Sequence, residues 1–272
     1  MKKTENLEDI ARHIRRELVK ISNKANTPHL GSSLSCVEIM VAAYWGVINI
    51  DPQNPTDPDR DRLIFSKGHA ATTLYIALNK KGILSNETLE TYARSGGILP
   101  EHPVYRSSPG IEATSGSLGH GLSIGLGIAL GARISKRNYR VYVVMSDGEC
   151  NEGSVWEAAM LAPTKEVGNL AVIIDSNKWQ ATDRTQDVAG STSLADKFKA
   201  FGWNSYDIDG HNINNLVDTL QQLPDGSGKP LAVVANTVKG KGVSFMEDDN
   251  NWHYRIPNQE EVKKALNEIG LS

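Results

Sequence analysis

Two polar residues that directly follow apolar segments are the clearest candidates for ligand binding in the sequence. Asp147 comes directly after the run VYVVMS, and Asn177 closes the run that begins LAVIID. They lie about 30 residues apart, the length of one strand-to-strand crossover in a βαβ unit. The two side chains can therefore face each other at neighbouring strand ends, where open parallel sheets bind ligands. The alternative is that Asp147 only ends its strand or caps the following helix.

An oxygen-binding cation is the ligand that this pair of residues indicates. One carboxylate and one amide oxygen form an incomplete cage, but they suit Mg²⁺, which prefers oxygen ligands and commonly takes phosphate oxygens too. Gly148 fits the same interpretation, because a side chain there would hinder the approach of a diphosphate to the backbone. The helix predicted to follow would present its N-terminus to the anion. The pattern predicts a phosphate ester held through a metal ion.

The rest of the chain supplies a sheet to position these residues. Apolar runs predict buried strands at 63–65, 140–146, 170–175 and 230–237, and helices are predicted at 5–22, 34–47, 69–81 and 258–270. Apolar strands that alternate with helices predict an α/β fold, a doubly wound parallel sheet with helices on both faces. At 272 residues we expect a single domain spanning 1–272, with an N-terminal helical extension.

Glycine and alanine crowd the segment 115–133, which should form a helix. Gly121, Gly125, Gly127 and Gly131 lie in its interior, where each glycine costs about 1 kcal/mol relative to alanine. Close approach of another backbone would compensate for this cost. A tightly packed internal helix and a subunit interface both explain the pattern, and the spacing does not separate them.

Composition excludes several classes of function. The net charge is only −3 and the basic residues are scattered, so nucleic acid is not an expected partner. No apolar run approaches the roughly 20 residues of a membrane-spanning helix, and the N-terminus lacks a signal peptide. We therefore expect a cytoplasmic protein with no membrane association. Cys36 and Cys150 are too few for a disulfide framework.

Seven short segments, taken in their order along the chain, carry a resemblance to a known family. They are PHLGSSLS (28–35), RDRLIFSKGHA (60–70), EHP (101–103), TSGSLGHGL (114–122), SDGECNEG (146–153), DSNKWQ (175–180), and VKGKGVSF followed by WH (238–253). Together with the Asp-Gly and Asn at successive strand ends, they resemble the N-terminal, diphosphate-binding domain of transketolase. The resemblance implies the thiamine-diphosphate-binding fold, with thiamine diphosphate and Mg²⁺ as cofactors and Ca²⁺ or Mn²⁺ able to replace Mg²⁺.

The resemblance also implies a role for individual residues. The metal ligands would be Asp147, Asn177 and the main-chain carbonyl of Trp179. The cofactor would be contacted by His69, Gly148 and His253 at the diphosphate and by Gly116 and Leu118 at the aminopyrimidine. Asn177 also belongs to the cofactor-binding residues, and Glu152 would approach the activating glutamate of the partner subunit. The residues facing a ketose would be His29, His69, His102 and His253. Histidine suits that role because its pKa of about 6.5 lets it exchange protons near neutrality.

The family's pyrimidine-binding region and C-terminal domain have no counterpart in the sequence, which ends after the helix predicted at 258–270. We therefore expect the N-terminal subunit of a two-subunit transketolase. It would transfer a two-carbon ketol unit from a ketose or ketose phosphate to an aldose or aldose phosphate. A C-terminal, pyrimidine-binding partner subunit would supply the activating glutamate and the phosphate-binding residues, in a heterotetramer with two copies of each chain. The resemblance also implies that Glu152 and Glu157 belong to the family's acidic network between subunits, and the alternative is that they complement a helix N-terminus.

Departures from the family pattern keep alternatives open. Ser146 replaces a glycine, and Glu101 stands where glycine often precedes the histidine, which leaves the donor sugar undetermined. One alternative is a subunit of another thiamine-diphosphate enzyme, similar to a 2-oxoacid dehydrogenase alpha subunit or to deoxyxylulose-phosphate synthase. The set of histidines argues against it, because such a set suits polyol substrates. The other alternative is a non-catalytic regulatory or structural homologue, which the retained Asp147 and Asn177 disfavour.

Overall fold

The structure of the protein, a computed structural model, describes residues 6–190 and 192–270. Residue 5, where the predicted first helix begins, lies outside the described residues, as do positions 1–4, 191, 271 and 272 of the predicted domain. The strands are β1 (Arg62–Phe65), β2 (Val141–Ser146), β3 (Leu170–Ser176), β4 (Asn204–Asp209) and β5 (Leu231–Asn236).

Eleven α-helices surround the sheet within the described residues. They are α1 (Leu7–Ala25), α2 (Leu30–Ser35), α3 (Val37–Val41), α4 (Ala71–Lys81), α5 (Asn86–Leu89), α6 (Gly121–Ile134), α7 (Gly153–Thr164), α8 (Thr185–Ala189), α9 (Leu194–Ala200), α10 (Ile213–Leu220) and α11 (Gln259–Glu268). Three 3₁₀ turns lie at Gly68–Ala70, Gly148–Asn151 and Asn250–His253, and α3 continues as a π-helical turn at Ala42–Val47. None of these helices is long and apolar enough to cross a membrane.

All strand pairs in the sheet are parallel, and the strand order is β1-β2-β3-β5-β4. Because the strands run the same way, their carboxyl ends meet at one edge of the sheet. The register pairs Ser146, the last residue of β2, with Asp175 of β3. Asp147 and Asn177 therefore lie at neighbouring strand ends, as the sequence predicted.

Helices cover both faces of the sheet, which confirms the predicted doubly wound α/β fold. Along β3, Ala171 and Ile173 belong to one core, whereas Val172 and Ile174 belong to the other. The first core packs against α1, α3, α4, α10 and α11, and the second against α6, α7 and α9. The apolar side chains of the central strands are buried on both sides, as their continuous apolar runs predicted.

Several elements differ from the sequence prediction. The helix expected in 115–133 begins only at Gly121. Strand β4 was not predicted because it lies at the edge of the sheet and carries polar, partly exposed residues where the central strands are apolar. The helix predicted at 34–47 begins earlier, at Leu30, and is interrupted at Cys36, whose φ of −101° and ψ of 14° are not helical. Because α2 begins at Leu30, His29 lies at the N-terminal end of this helix.

The glycines of α6 divide between a packed face and an open face. A Cβ on Gly121 would lie 2.1 Å from the hydroxyl of Ser66, and a Cβ on Gly125 would lie 2.4 Å from Val143. Gly127 and Gly131 have no atom within 4 Å of the position of a Cβ. Close packing on the sheet therefore explains two of the four glycines, and the other two lie on the side of α6 that faces away from the chain.

Candidate active site

Asp147 follows β2 and has one carboxylate oxygen with hydrogen bonds and one without. Oδ2 accepts hydrogen bonds from the backbone N–H of Lys178 (3.0 Å) and the hydroxyl of Thr185 (2.8 Å). Oδ1 is buried and has no hydrogen-bond partner in residues 6–190 and 192–270. Burial raises the pKa of Asp147 to about 6, and the nearby Asp175 carboxylate contributes to the increase. A buried polar atom without a partner is uncommon, so Oδ1 is a candidate cation ligand.

Asn177 lies at the end of the neighbouring strand and is also buried. Its Nδ2 donates to Ser35 Oγ (3.3 Å) and to Asp175 Oδ2 (3.4 Å). Its Oδ1 accepts from the backbone N–H of Trp179 (3.1 Å), which forms a tight turn at the start of the next loop. An amide oxygen has two lone pairs, so Oδ1 keeps one for a second partner.

These oxygens fit a hard cation that is bound together with a phosphate group. Asp147 and Asn177 could supply one carboxylate and one amide oxygen, which are ligands that Mg²⁺ accepts. No group of three or more His, Cys, Asp or Glu side chains in residues 6–190 and 192–270 is arranged to hold a metal ion. A cation at this edge would therefore need further oxygens, and Mg²⁺ commonly takes them from water and phosphates. The carbonyl of Trp179 remains a predicted third ligand.

A surface clasp joins the loop after β3 to the loop before the last 3₁₀ turn. Asp248 accepts two hydrogen bonds from the guanidinium of Arg184 (2.7 and 2.6 Å) and one from the indole of Trp179 (2.8 Å). The Arg184 guanidinium also lies 3.9 Å from the centre of the Trp179 ring. Asn250 donates to the carbonyl of Ala181 (3.2 Å) between the same loops. The Arg184–Asp248 clasp fixes the loop that carries the predicted Trp179 ligand.

Gly148 lies beside a buried hydrogen-bond donor that the sequence reasoning missed. A Cβ on Gly148 would lie 2.9 Å from Cγ of Gln180. Gln180 Nε2 is buried and has no partner, and an amide nitrogen only donates, so it suits an anionic oxygen. The helix expected directly after Gly148 is a 3₁₀ turn, and α7 begins only at Gly153. The N-terminus of α7 therefore lies five residues after Gly148, whereas the sequence analysis expected it directly after Gly148.

The glycine-rich loop before α6 packs tightly against two other parts of the site. A Cβ on Gly68 would lie 2.6 Å from the backbone nitrogen of Gly116. Gly116 has a φ of 130°, and a Cβ there would lie 2.7 Å from the ring of His102. The buried carboxylate of Glu149 accepts the N–H of Gly119 (2.9 Å) and ties the loop to the end of β2. Larger residues at these glycines would displace the loop predicted to meet the aminopyrimidine.

The remaining residues predicted near the cofactor lie on either side of this loop. Leu118 is half-buried within it. Glu152 lies against the loop, since a Cβ on Gly119 would be 2.6 Å from Cβ of Glu152. Glu152 occupies the N-cap position of α7, but its side chain makes no capping hydrogen bond. Both Glu152 and Glu157 are exposed, so both are accessible to another chain.

The four histidines predicted from the sequence converge in one cluster. The ring of His29 lies 5.5 Å from that of His69, 6.5 Å from His102 and 4.9 Å from His253, between centroids. The backbone N–H of His29 donates to the carbonyl of His253 (2.8 Å), which joins two distant segments. His29 Nδ1 is buried without a partner. Tyr254 lies at the mouth, 64% exposed, with its ring 4.7 Å from His253.

Three of the four histidines, His29, His69 and His253, are held in the neutral state. Burial and the neighbouring His102 lower the pKa of His29 to about 4. Burial and the ammonium of Lys239 lower the pKa of His253 to about 3. The pKa of His69 is also well below its usual value, chiefly because of burial. At neutral pH each of these three imidazoles therefore offers one N–H donor and one acceptor.

Lys239, which the sequence reasoning missed, sets the orientation of the proton on His253. Its ammonium is buried, donates to Asn250 Oδ1 (2.7 Å) and lies 3.1 Å from His253 Nδ1. Burial and the charge of Lys67 lower the pKa of Lys239 to about 8, so it is still mostly protonated at pH 7. Because an ammonium only donates, His253 Nδ1 must accept and the proton of the ring is on Nε2.

The comparisons with known proteins agree with this fold and site. The family described as "Transketolase, thiamine diphosphate binding domain" matches residues 7–272. An apulose-4-phosphate transketolase subunit of Actinobacillus succinogenes is 41% identical over 266 residues, covering 97% of this chain and 95% of that protein. The 6-deoxy-6-sulfo-D-fructose transketolase subunit SqwG of a Clostridium species is 40% identical over 263 residues, covering 97% of this chain and 96% of that protein.

A solved structure supports the same assignment. Transketolase from Leishmania mexicana superposes with a TM-score of 0.91 at 25% identity, covering 98% of this chain and 42% of that longer chain. The fold and the family match define a thiamine-diphosphate-binding domain. The chain belongs to the transketolase family.

Proposed function

We propose that this chain is the N-terminal subunit of a two-subunit transketolase. It would transfer a two-carbon ketol unit from a ketose or ketose phosphate to an aldose or aldose phosphate. We take residues 1–272 as a single diphosphate-binding domain that acts in the cytoplasm. The observations that carry the proposal are the convergence of His29, His69 and His253, whose pKa values are all lowered, and the buried Asp147 Oδ1, which has no partner among the described residues.

The metal and the cofactor would be held at the ends of β2 and β3. Asp147 Oδ1, Asn177 Oδ1 and the carbonyl of Trp179 would hold Mg²⁺, which would supply positive charge for the diphosphate. Thiamine diphosphate, when bound, supplies a nucleophilic carbon and an electron sink that allow the carbon–carbon bond beside a ketose carbonyl to break. The donors around the diphosphate would be Gln180 Nε2, the backbone at Gly148, His69 and His253.

The histidines would bind and move the protons of the sugar. His29, His102 and His253 would bind the ketose hydroxyls. A neutral imidazole has one donor and one acceptor, and a hydroxyl can both donate and accept, so the two groups match. An imidazole of the cluster would take a hydroxyl proton as the carbon–carbon bond breaks and return it when the bond to the acceptor forms. The low pKa values of His29 and His253 make these two weak bases, so we assign them chiefly to binding the hydroxyls. Lys239 keeps the proton of His253 on Nε2. Gly116 and Leu118 would contact the aminopyrimidine.

A partner subunit would complete the site. The two relatives described above are named as transketolase subunits, and this chain matches 95% and 96% of their lengths. Gly127 and Gly131 on the open face of α6, together with Ile134, which is 83% exposed, offer an apolar surface for contact with another chain. Exposed Glu152 lies beside the aminopyrimidine loop, where a glutamate of the partner would approach it. The assembly would contain two copies of each subunit.

The test compares the chain alone with the complex formed with its partner. The chain is purified with the product of the neighbouring gene, and ketol transfer is measured with Mg²⁺ and thiamine diphosphate across phosphorylated, branched and sulfonated ketose donors. We expect transfer by the complex, dependence on both cofactors, and no transfer by the chain alone. Activity of the chain alone would refute the partner requirement, and 2-oxoacid decarboxylation without ketol transfer would refute the substrate class.

A further inference from the structure

A buried carboxylate lies directly beneath Asn177 and has four side-chain donors. Asp175 Oδ2 accepts hydrogen bonds from the hydroxyl of Ser35 (2.6 Å), from the Asn177 amide (3.4 Å) and from the ammonium of Lys67. Asp175 Oδ1 accepts from the hydroxyl of Thr237. Neither Asp175 nor Lys67 is exposed to solvent. Every donor comes from a different segment of the chain, so the carboxylate is held from several directions.

This carboxylate determines which way the Asn177 amide is turned. An ionised carboxylate only accepts hydrogen bonds, so the nitrogen of Asn177 must face Asp175. Ser35 favours the same orientation, because the acceptors for its single hydroxyl proton are Asp175 Oδ2 (2.6 Å) and the carbonyl of Ser32 (3.0 Å), which leaves its lone pairs for Asn177 Nδ2 at 3.3 Å. The oxygen of Asn177 is consequently turned to the other side, where it accepts from the Trp179 N–H.

Lys67 compensates the negative charge of the Asp175 carboxylate. Its ammonium has two oxygen partners, the Asp175 carboxylate and the carbonyl of Ser32 (2.9 Å). Both side chains are fully buried, and a buried cation that loses its partner is strongly unfavourable. The ion pair therefore maintains an acceptor-only group beneath the amide.

We propose that Asp175 is a positioning residue for the metal site, an anion whose function is to turn the oxygen of Asn177 towards the cation. This inference rests on the proposed function, since it assumes that Asn177 binds Mg²⁺. Asp175 does not itself contact the cation. An asparagine at 175 would offer an N–H₂ group as well as an oxygen, so the Asn177 amide could turn over and present nitrogen where the cation requires oxygen.

The test measures the Mg²⁺ affinity of the Asp175→Asn variant, in the full chain with its partner subunit present. Mg²⁺ is titrated calorimetrically at saturating thiamine diphosphate. We expect the affinity to fall by about 10- to 100-fold, the effect of losing a group that orients a metal ligand. At saturating Mg²⁺ the kcat should return towards that of the wild type. Unchanged Mg²⁺ affinity would overturn the inference.

Two further variants separate orientation from stability. Asp61→Asn makes the same chemical change at another buried carboxylate, which binds Arg140 (2.6 Å) away from the site. It should lower the Tm and leave the Mg²⁺ affinity unchanged. The double variant Lys67→Met with Asp175→Asn carries no unpaired buried charge. It therefore tests the positioning role of Asp175 even if the single variant Asp175→Asn does not fold. Its Mg²⁺ affinity should remain low, and a wild-type affinity would overturn the inference.

The failure of this inference is distinguishable from failure of the proposed function. If the wild-type complex binds Mg²⁺ and Asp175→Asn binds it equally, only the positioning role is wrong. If the wild-type complex binds no Mg²⁺ in the presence of thiamine diphosphate, the proposed function is wrong and the inference falls with it.

Discussion

The ends of β2 and β3 carry two buried aspartates that the fold treats in opposite ways. Asp175 has donors on both oxygens, including the ammonium of Lys67 and the hydroxyls of Ser35 and Thr237. Asp147 is 3% exposed, yet its Oδ1 has no partner within the described chain. The two aspartates are therefore similar in burial and differ in the number of their hydrogen-bond partners.

The difference shows that the hydrogen bonds of Asp175 are satisfied by the protein itself, whereas Asp147 has an oxygen that is free to bind a ligand. A buried carboxylate with a full set of donors is stabilised by the fold itself. One with an unmatched oxygen raises the free energy of the folded chain until something binds there. The contrast therefore assigns Asp175 to positioning the site and Asp147 to binding a ligand. Four predictions test this assignment.

The largest effect is expected from removing the unmatched carboxylate. Asp147→Asn should reduce metal-dependent binding of thiamine diphosphate by more than about 100-fold, a greater loss than that of an outer group. Without the cofactor, its Tm should equal or exceed that of the wild type, because the variant no longer buries a charged oxygen without a partner. Calorimetry and thermal melting measure the two quantities. Unchanged cofactor affinity would refute the assignment of Asp147 as a metal ligand.

The second prediction extends the contrast from the metal pair to the sugar-facing residues. His102→Ala should lower kcat/KM for the donor by about 100-fold, within the usual range for a residue that transfers protons. The affinity for thiamine diphosphate should change little, because His102 is predicted to face the sugar. His120 is a suitable control, since it is exposed and its ring contacts only carbonyls of its own loop within the described contacts. A larger loss of cofactor affinity than of turnover would move His102 from the substrate to the cofactor.

The third prediction concerns the pH dependence of stability. A histidine that the fold holds in the neutral state should make the folded protein less stable as the pH falls. The pKa of His29 is about 4 in the folded chain and about 6.5 when unfolded. Between these values the unfolded state binds more protons, so this contribution to stability is complete above pH 6.5 and is lost as the pH falls towards 4. The cofactor-free His29→Asn variant should therefore lose about 2 °C less of its Tm between pH 7 and pH 5 than the wild type.

This comparison needs a variant that keeps the cluster intact. His29 faces His69, His102, His253 and Tyr254, and these residues are the same in both proteins, so only the difference in slope is attributed to His29. Equal slopes for His29→Asn and wild type would mean that His29 is not held neutral by the fold.

The sequence predicted the parts of this molecule that depend on local pattern. Continuous apolar runs predicted three of the central strands, and the spacing of Asp147 and Asn177 predicted their positions at the sheet edge, both confirmed by the strand register. Strand β4 was missed because an edge strand exposes polar side chains and has no apolar run. The predicted roles of the cofactor- and sugar-facing residues stay predictions.

The sequence could not predict the residues whose role depends on distant contacts. Lys67 and Asp175 are separated by 108 positions, and only the folded sheet brings their charges together. Lys239 and Gln180 belong to the segments that carry the family resemblance, but their burial and hydrogen bonding could not be read from their residue types. Burial together with the count of partners is the signal that identifies them, and it requires coordinates.

The smallest effect is expected at the exposed Arg184–Asp248 clasp, which contrasts with the buried pair of Lys67 and Asp175. The side chains of the clasp are 31% and 53% exposed, and such pairs contribute at most about 1 kcal/mol. Arg184→Ala should lower the free energy of unfolding by no more than this in a urea titration, with a decrease of a few-fold in Mg²⁺ affinity because the Trp179 loop is less well held. Arg137→Ala breaks a similar exposed pair with Asp59 (2.7 Å) far from the site and should leave the Mg²⁺ affinity unchanged. Equal Mg²⁺ affinities for the two variants would show that the clasp is only a surface ion pair, and that the buried network alone orients the metal ligands.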